Sequence, residues 1–329
     1  MSQIGRRRFL IAAGALIADP IAGYAQAPAR ARRIGWLGLS DGKDASSPSV
    51  ALEGLRAGLR ERGWVEGDNL VIVARSGNYA NATSLTEELL QAKVELIVAQ
   101  GGMFFGARRV AGATPLIFHV NGDPVEAKLV ASYARPGGTF TGVTNLSEEL
   151  STKRVELLSE ALPHMKRLAA IANQGHPGWH VELEATQAAA KRLGLDLQWL
   201  PVYSAKDFQS AFQATAGGGA NGLVAVPDNL MLSQAKSIAE FGAKQKIPAI
   251  SGWGSFADAG NLMSYGPVLR DVYVKMAQYA DKLLTGATAA ELPVENPSRF
   301  ELVINLKTAS DLGIVIPRSV LLRADRMIE

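Results

Sequence analysis

Cysteine is absent from the 329 residues, which excludes disulfides, thiol nucleophiles, thiolate metal sites and a lipid-bearing cysteine. Histidine is scarce, at positions 119, 164, 176 and 180. His176 and His180 have the i, i+4 spacing that could set two metal ligands on one helical face. Pro177-Gly178 interrupts that helix, however, and no His-Glu-x-x-His pattern accompanies them, so no metal site is expected. No Gly-x-Ser-x-Gly elbow occurs, and no Gly-x-Gly-x-x-Gly or Walker pattern sits between a strand and a helix. With no catalytic set to assign, the reading is a non-enzyme without cofactor. No apolar run beyond the N-terminus reaches the ~20 residues of a bilayer span.

The N-terminus carries what the rest lacks. Arg6, Arg7 and Arg8 precede Phe9-Leu10 and an apolar run from Ile11 to Ala18, and small residues lead to Ala25-Gln26-Ala27. This is a charged region, a short apolar region and a cleavage site, the pattern of a removable export signal over residues 1–27. Arg-Arg-x-Phe-Leu matches the twin-arginine form, so the expected location is the periplasm by that route. Cleavage after Ala25 is the alternative to cleavage after Ala27. Taking Arg6, Arg7, Arg8 and Asp19 away from 34 basic and 31 acidic residues leaves a nearly neutral protein. That gives no electrostatic footprint for nucleic acid.

Apolar β-rich runs then alternate with helical patterns, as in parallel α/β architecture. Strands are expected at 34–39, 70–74, 96–99, 116–119 and 139–144. Helices are expected at 48–62, with Val50, Leu52, Leu55 and Leu59 on the inner face, at 82–92 and at 101–110. Asp123-Pro124 reads as an N-cap and first helical residue, so a helix is expected over 125–134. A second series follows, with helices at 151–162, 179–193, 205–216 and 230–245. Its strands are at 168–172, 196–200, 222–226 and 249–250. Strands at 262–267 and 300–305 flank a long helix at 269–285. Two comparable series imply two lobes.

The tail is specific. Gly-Asn-Leu-Met-Ser-Tyr-Gly-Pro from Gly260, Glu-Leu-Pro-Val-Glu-Asn-Pro-Ser-Arg-Phe-Glu-Leu-Val-Ile-Asn-Leu-Lys-Thr-Ala from Glu291, and Leu-Leu-Arg-Ala-Asp near the end resemble one family. It is the substrate-binding family of ATP-binding-cassette transporters that includes tryptophan- and tyrosine-binding receptors. Gly122-Asp123-Pro124-Val125, Ala134-Arg135-Pro136-Gly137-Gly138 and Thr141-Gly142-Val143 resemble its mid-chain motifs. The resemblance implies an α/β, type I periplasmic binding fold, with two doubly wound parallel-sheet lobes joined by a three-crossover hinge. The first lobe would take residues 28–143 plus 267–297, and the second 144–266 plus 298–329. Thr144, Tyr265, Gly266 and Pro297 fall at the crossings. The implied partners are a small-molecule solute and an inner-membrane permease, and the chain is expected to be a monomer. A receptor presenting solute to a membrane sensor would share this sequence pattern.

Ligands of open parallel sheets bind beyond the carboxyl ends of the strands. In the first lobe this points to Ser40, to Gln100, Gly101 and Gly102, to Phe104, and to Asn121 and Asp123. In the second it points to Asn173, His176, Trp179, Asp228 and Trp253. Gln100-Gly101-Gly102 could hold a ligand carboxylate on backbone N–H groups or be only a tight turn. Asp228 could meet an ammonium group or cap the helix after it, and Asp123 reads first as a cap that borders the cleft. The rings of Phe104, Trp179 and Trp253 suggest stacking on a flat ligand, with core packing as the competing role, and Trp36 reads as core. Together these features favour a small carboxylate, an aromatic amino acid or aromatic acid.

Overall fold

The computed structural model describes residues 31–39, 49–145, 147–176 and 178–329. The export signal read at 1–27 and the loop with Ser40 lie outside the described residues. The chain begins with β1 (Arg32–Leu39), α1 (Val50–Arg60), β2 (Leu70–Gly77), α2 (Ala82–Gln91) and β3 (Leu96–Gln100). Then come α3 (Met103–Ala107), β4 (Leu116–Asn121) and β5 (Phe140–Asn145). These strands form one sheet of order β2-β1-β3-β4-β5, with every neighbour parallel.

The second series is α4 (Ser147–Ala161), β6 (Arg167–Asn173), α5 (Trp179–Arg192), β7 (Asp196–Val202), α6 (Phe208–Gly217) and β8 (Gly222–Ala225). It continues with α7 (Asn229–Ser233), α8 (Ala235–Gln245), β9 (Ala249–Ser251), α9 (Gly254–Asp258) and β10 (Met263–Pro267). The tail adds α10 (Leu269–Leu284), β11 (Phe300–Asn305), α11 (Leu306–Leu312), α12 (Arg318–Leu321) and β12 (Arg326–Ile328). The second sheet runs β12-β11-β10-β9-β8-β6-β7. Its β7-β6-β8-β9-β10 part repeats the order of the first sheet, and β11 is added antiparallel to β10.

Both sheets are apolar on both faces, as helices on either side require. In β1, Ile34 and Trp36 enter one core while Leu37 enters the other, and in β3 Leu96 and Val98 alternate with Ile97 and Ala99. In β6, Leu168, Ala170 and Ala172 alternate with Ala169 and Ile171.

The chain passes between the sheets three times: after Asn145, after Pro267, and between Val294 and Phe300. These passages are bonded to one another. Thr144 N donates to Glu295 O at 3.0 Å, Glu295 N to Gly142 O at 3.1 Å, and Val268 N to Arg299 O at 3.1 Å. Helix α10 returns from the second sheet to the core of the first by lying on α1. Gly54 and Gly58 permit that approach. A Cβ at Gly54 would stand 2.7 Å from the Arg270 carbonyl oxygen, and one at Gly58 would stand 2.7 Å from Ala277 Cβ.

Four local expectations change. The helix expected over 125–134 is a single turn: Asp123 Oδ1 accepts from Val125 N and Glu126 N as a cap should. Lys128 then enters the left-handed region at φ 54°, and the chain turns inward to bury Leu129 and Val130. The helix expected over 230–245 is two, α7 and α8, broken at Gln234 (φ −101°, ψ 6°). Helix α9 was not anticipated, because five residues carry too little periodicity. Val50 opens α1 half-exposed, and the face that packs is Ala51, Leu52, Leu55 and Leu59 with the two glycines.

Gly58→Val should force α1 and α10 apart and lower stability by about 2–3 kcal/mol, as overpacking of a tight contact does. A urea melt checks this, and an unchanged midpoint would show that the helices can separate freely.

Candidate functional site

Strand ends from both sheets converge on one cleft. It is lined by Leu39 after β1, Gln100 and Gly101 after β3, His119 and Asn121 at the end of β4, and Tyr79. From the opposite side come His176 after β6, Pro227, Asp228 and Asn229 after β8, and Trp253 after β9. Leu269 and Tyr273 of α10 close the floor. The space between them is about 390 Å³, including its mouth.

The floor is a directed chain of hydrogen bonds. Asn145 Oδ1 can only accept, so His119 Nε2 donates to it at 3.1 Å. The other ring nitrogen, Nδ1, is then the acceptor for the Tyr273 hydroxyl at 3.4 Å. Asn145 Nδ2 donates to Asn121 Oδ1 at 2.9 Å, and Asn121 Nδ2 donates to Glu182 Oε1 at 3.1 Å. The chain thus starts on α10, passes through β4 and β5, and ends on a carboxyl group of α5 in the other lobe. Burial holds the His119 imidazole neutral, lowering its pKa to about 4.

Glu182 is 3% exposed. Burial raises its pKa to about 8, with Arg154 opposing that rise and Asp228 adding to it. Asp228 caps α7 by accepting from Met231 N at 2.8 Å and accepts Asn173 Nδ2 at 2.5 Å. Burial raises it to about 6 against those two bonds. Arg154 is equally buried and donates through Nε to the Tyr265 carbonyl at 2.8 Å, and burial lowers its pKa to about 10. The Tyr79 hydroxyl is pushed up by burial and by the charges of Asp228 and Glu182. Its ring meets the edge of His176 across the cleft, with centroids 6.4 Å apart. His176 is lowered to about 4 by burial.

The residues named from sequence divide accordingly. Gln100, Gly101, Asn121, His176, Asp228 and Trp253 line the cleft. Gln100 spends its amide oxygen on Leu39 N at 3.0 Å, fixing the ends of β1 and β3 together. Gly101 takes φ 54°, the turn conformation glycine suits, and Gly102 is buried behind it. Asn173 stands one bond back, holding Asp228. Phe104 must be corrected: its ring is fully buried among Phe118, Phe140 and Phe105 and cannot stack on a ligand. Asp123 is an exposed cap away from the cleft. Trp179 is half-buried, packs edge-on to His180 and lies outside the lining. Ser40 lies outside the described residues. Trp36 is core and packs on Tyr273 at 5.5 Å. At the crossings, Thr144 Oγ1 donates to the Gly122 carbonyl, and Pro297 lines a separate hollow behind the cleft. A Cβ on Gly266 would collide with the Gly252 backbone.

Sequence reasoning missed Arg154, Glu182, Tyr79, His119, Asn145 and Tyr273. The first two carried a readable signal. Arg154 stands on the buried stripe of α4 between Leu150 and Leu158, and Glu182 on that of α5 with Ala185, Thr186 and Ala189. A charge on an apolar stripe is rarely fully buried without a polar purpose.

Comparison with known proteins agrees with this architecture. Residues 44–328 match the family described as ABC transporter substrate binding protein. A tyrosine-binding protein of Clostridioides difficile is 25% identical over 284 residues, covering 84% of this chain and 81% of the relative. A conserved domain protein from Vibrio cholerae O1 biovar El Tor superposes with TM-score 0.83 at 27% identity, covering 91% of this chain and all of that one. The ABC domain from Streptococcus pneumoniae in complex with L-Trp superposes with TM-score 0.81 at 25% identity and the same coverage.

Arg154→Leu leaves the Tyr265 carbonyl without its donor and the buried Glu182 without its neighbouring cation. A loss of about 3 kcal/mol is expected near neutral pH, read from the urea midpoint. A loss under about 0.5 kcal/mol, the range of an ordinary surface change, would show that this charge has no structural task.

Proposed function

Because the chain belongs to the ABC transporter substrate-binding protein family and has the type I periplasmic binding fold, we propose that it captures an aromatic amino acid. The solute would sit between the lobes and be handed to an inner-membrane permease. The observation that carries the reading is the composition of the cleft. Tyr79, Trp253, Tyr273 and the neutral imidazoles of His119 and His176 surround it, with Asp228 the carboxylate in its lining. Aromatic walls suit a flat apolar body, and a desolvated carboxylate suits an ammonium group. The tyrosine-binding relative and the L-Trp complex support the same class.

Energetics explain why two lobes are used. Micromolar binding is about −8 kcal/mol. For roughly 10–15 heavy atoms this needs about 0.5–0.8 kcal/mol per atom, above the usual value for larger ligands, so the ligand must be almost fully enclosed. Closure about the three crossings, with Thr144, Tyr265, Gly266 and Pro297 as hinge positions, would supply that enclosure. The export signal read in residues 1–27 fits capture in the periplasm.

A thermal-shift screen should show stabilisation by L-tyrosine or L-tryptophan; stabilisation by sugars alone would overturn the ligand class. Asp228→Asn can keep Oδ1 on Met231 N but removes the charge and the acceptor for Asn173 Nδ2. It should weaken amino-acid binding by about 10–100-fold, the worth of one charged hydrogen bond, while leaving binding of an aromatic acid without an amine nearly unchanged. Calorimetric titration of both ligands checks the difference, and equal losses for both would show that Asp228 does not read the ammonium.

A further inference from the structure

Glu182 is the terminus of the hydrogen-bond chain that crosses from one lobe to the other. Its Oε1 accepts from Asn121 Nδ2 at 3.1 Å, and no cation of the described residues lies within 4.0 Å of it. Several charged or titratable groups face it. Arg154 comes from α4, Asp228 from the start of α7 and Tyr79 from the first lobe, while His176 lines the cleft from the loop leading into α5. A buried carboxyl group accepting a neutral amide, with a second carboxyl group nearby, is held more easily without its charge. When the lobes part, the same group meets water and recovers its ordinary acidity.

We propose that Glu182 is a cross-cleft latch, holding the two lobes together through Asn121, and that solution pH sets how readily this latch releases. The proposal rests on the lobes moving about the three crossings and deepens the reading of the same cleft.

The sign follows from linkage. In the closed form Glu182 binds its proton more tightly, with its pKa raised to about 8 by burial first and by Asp228 second. Asp228 shifts in the same direction, to about 6. Closure therefore takes up protons. It is favoured in full below the ordinary carboxylate pKa and is lost as pH rises through about 8. His176 acts the other way, because burial lowers it to about 4, so acid below its ordinary pKa favours opening. Glu182 and Asp228 together outweigh His176, so the closed population should be largest on the acid side and fall on the alkaline side.

The chain has no cysteine, so Glu87→Cys on α2 and Gln209→Cys on α6, both exposed, place one spin label on each lobe of the full chain. Distance distributions in ligand-free protein are then measured at about pH 6 and about pH 9. The ratio of short to long distances should fall about tenfold or more, the effect of a one-unit shift or greater. Glu182→Gln keeps an acceptor for Asn121 and has no charge, so its ratio should stay high with a much flatter alkaline limb. Asn121→Ala leaves Glu182 in place and should favour the long distance at both pH values. Circular dichroism confirms that each variant is folded. One distance at both pH values in the parent protein, or the same pH response in Glu182→Gln, overturns the latch. A parent protein that follows the expected pH course yet binds no amino acid would overturn the solute reading and leave the latch standing.

Discussion

Two carboxyl groups, Glu182 and Asp228, and one guanidinium, Arg154, are held out of water around the cleft, and this desolvation is the constraint around which the cleft is arranged. Unpaired buried charge is too costly to keep. Each group is therefore anchored: Arg154 to the Tyr265 carbonyl, Asp228 to the start of α7 and to Asn173, and Glu182 to Asn121. Tyr265 lies on β10, which ends at the second crossing; Asn121 and Asn173 are the last residues of β4 and β6, and α7 begins beside the cleft. The bonds that satisfy the buried charges thus also join the strand ends around the cleft.

The rigid parts serve that floor. Two sheets with the same strand order aim their carboxyl ends at one another, so short loops from both lobes reach the same space. The close packing of α1 on α10 at Gly54 and Gly58 carries Tyr273 under His119. Without it the hydrogen-bond chain would have no beginning. Gly142 and Gly266 stand where the chain passes too near the backbone of Phe118 and Gly252 for any side chain, and the bonds of Thr144 to Glu295 and of Val268 to Arg299 hold the three passages together.

Much of this was legible in the sequence, and the limits have physical causes. Buried parallel strands announce themselves as apolar runs, which is why β1, β3, β4, β6 and β8 were expected near their observed places. The tail motif points to the family that residues 44–328 match. The helix after Asp123 was not legible as a single turn, because a cap reports where a helix starts and says nothing of Lys128 turning left-handed. In the site, residues at strand ends such as Asn121 and Asp228 could be named, since topology alone puts them there. Phe104 also follows a strand end, but α3 turns its ring inward, which a linear reading could not tell. Tyr79 follows the end of β2, which runs to Gly77 rather than stopping at 74, and Tyr273 reaches the cleft from α10. Only Arg154 and Glu182 left a trace, as charges on apolar stripes.

On the function proposed here, solute is enclosed between the lobes with its amine read by Asp228. A crystal structure of the protein grown with whichever aromatic amino acid stabilises it tests this most directly. The ring is expected among Tyr79, Trp253 and Tyr273, and the ammonium within hydrogen-bond distance of Asp228. A ligand bound to one lobe alone, or outside this cleft, would contradict it.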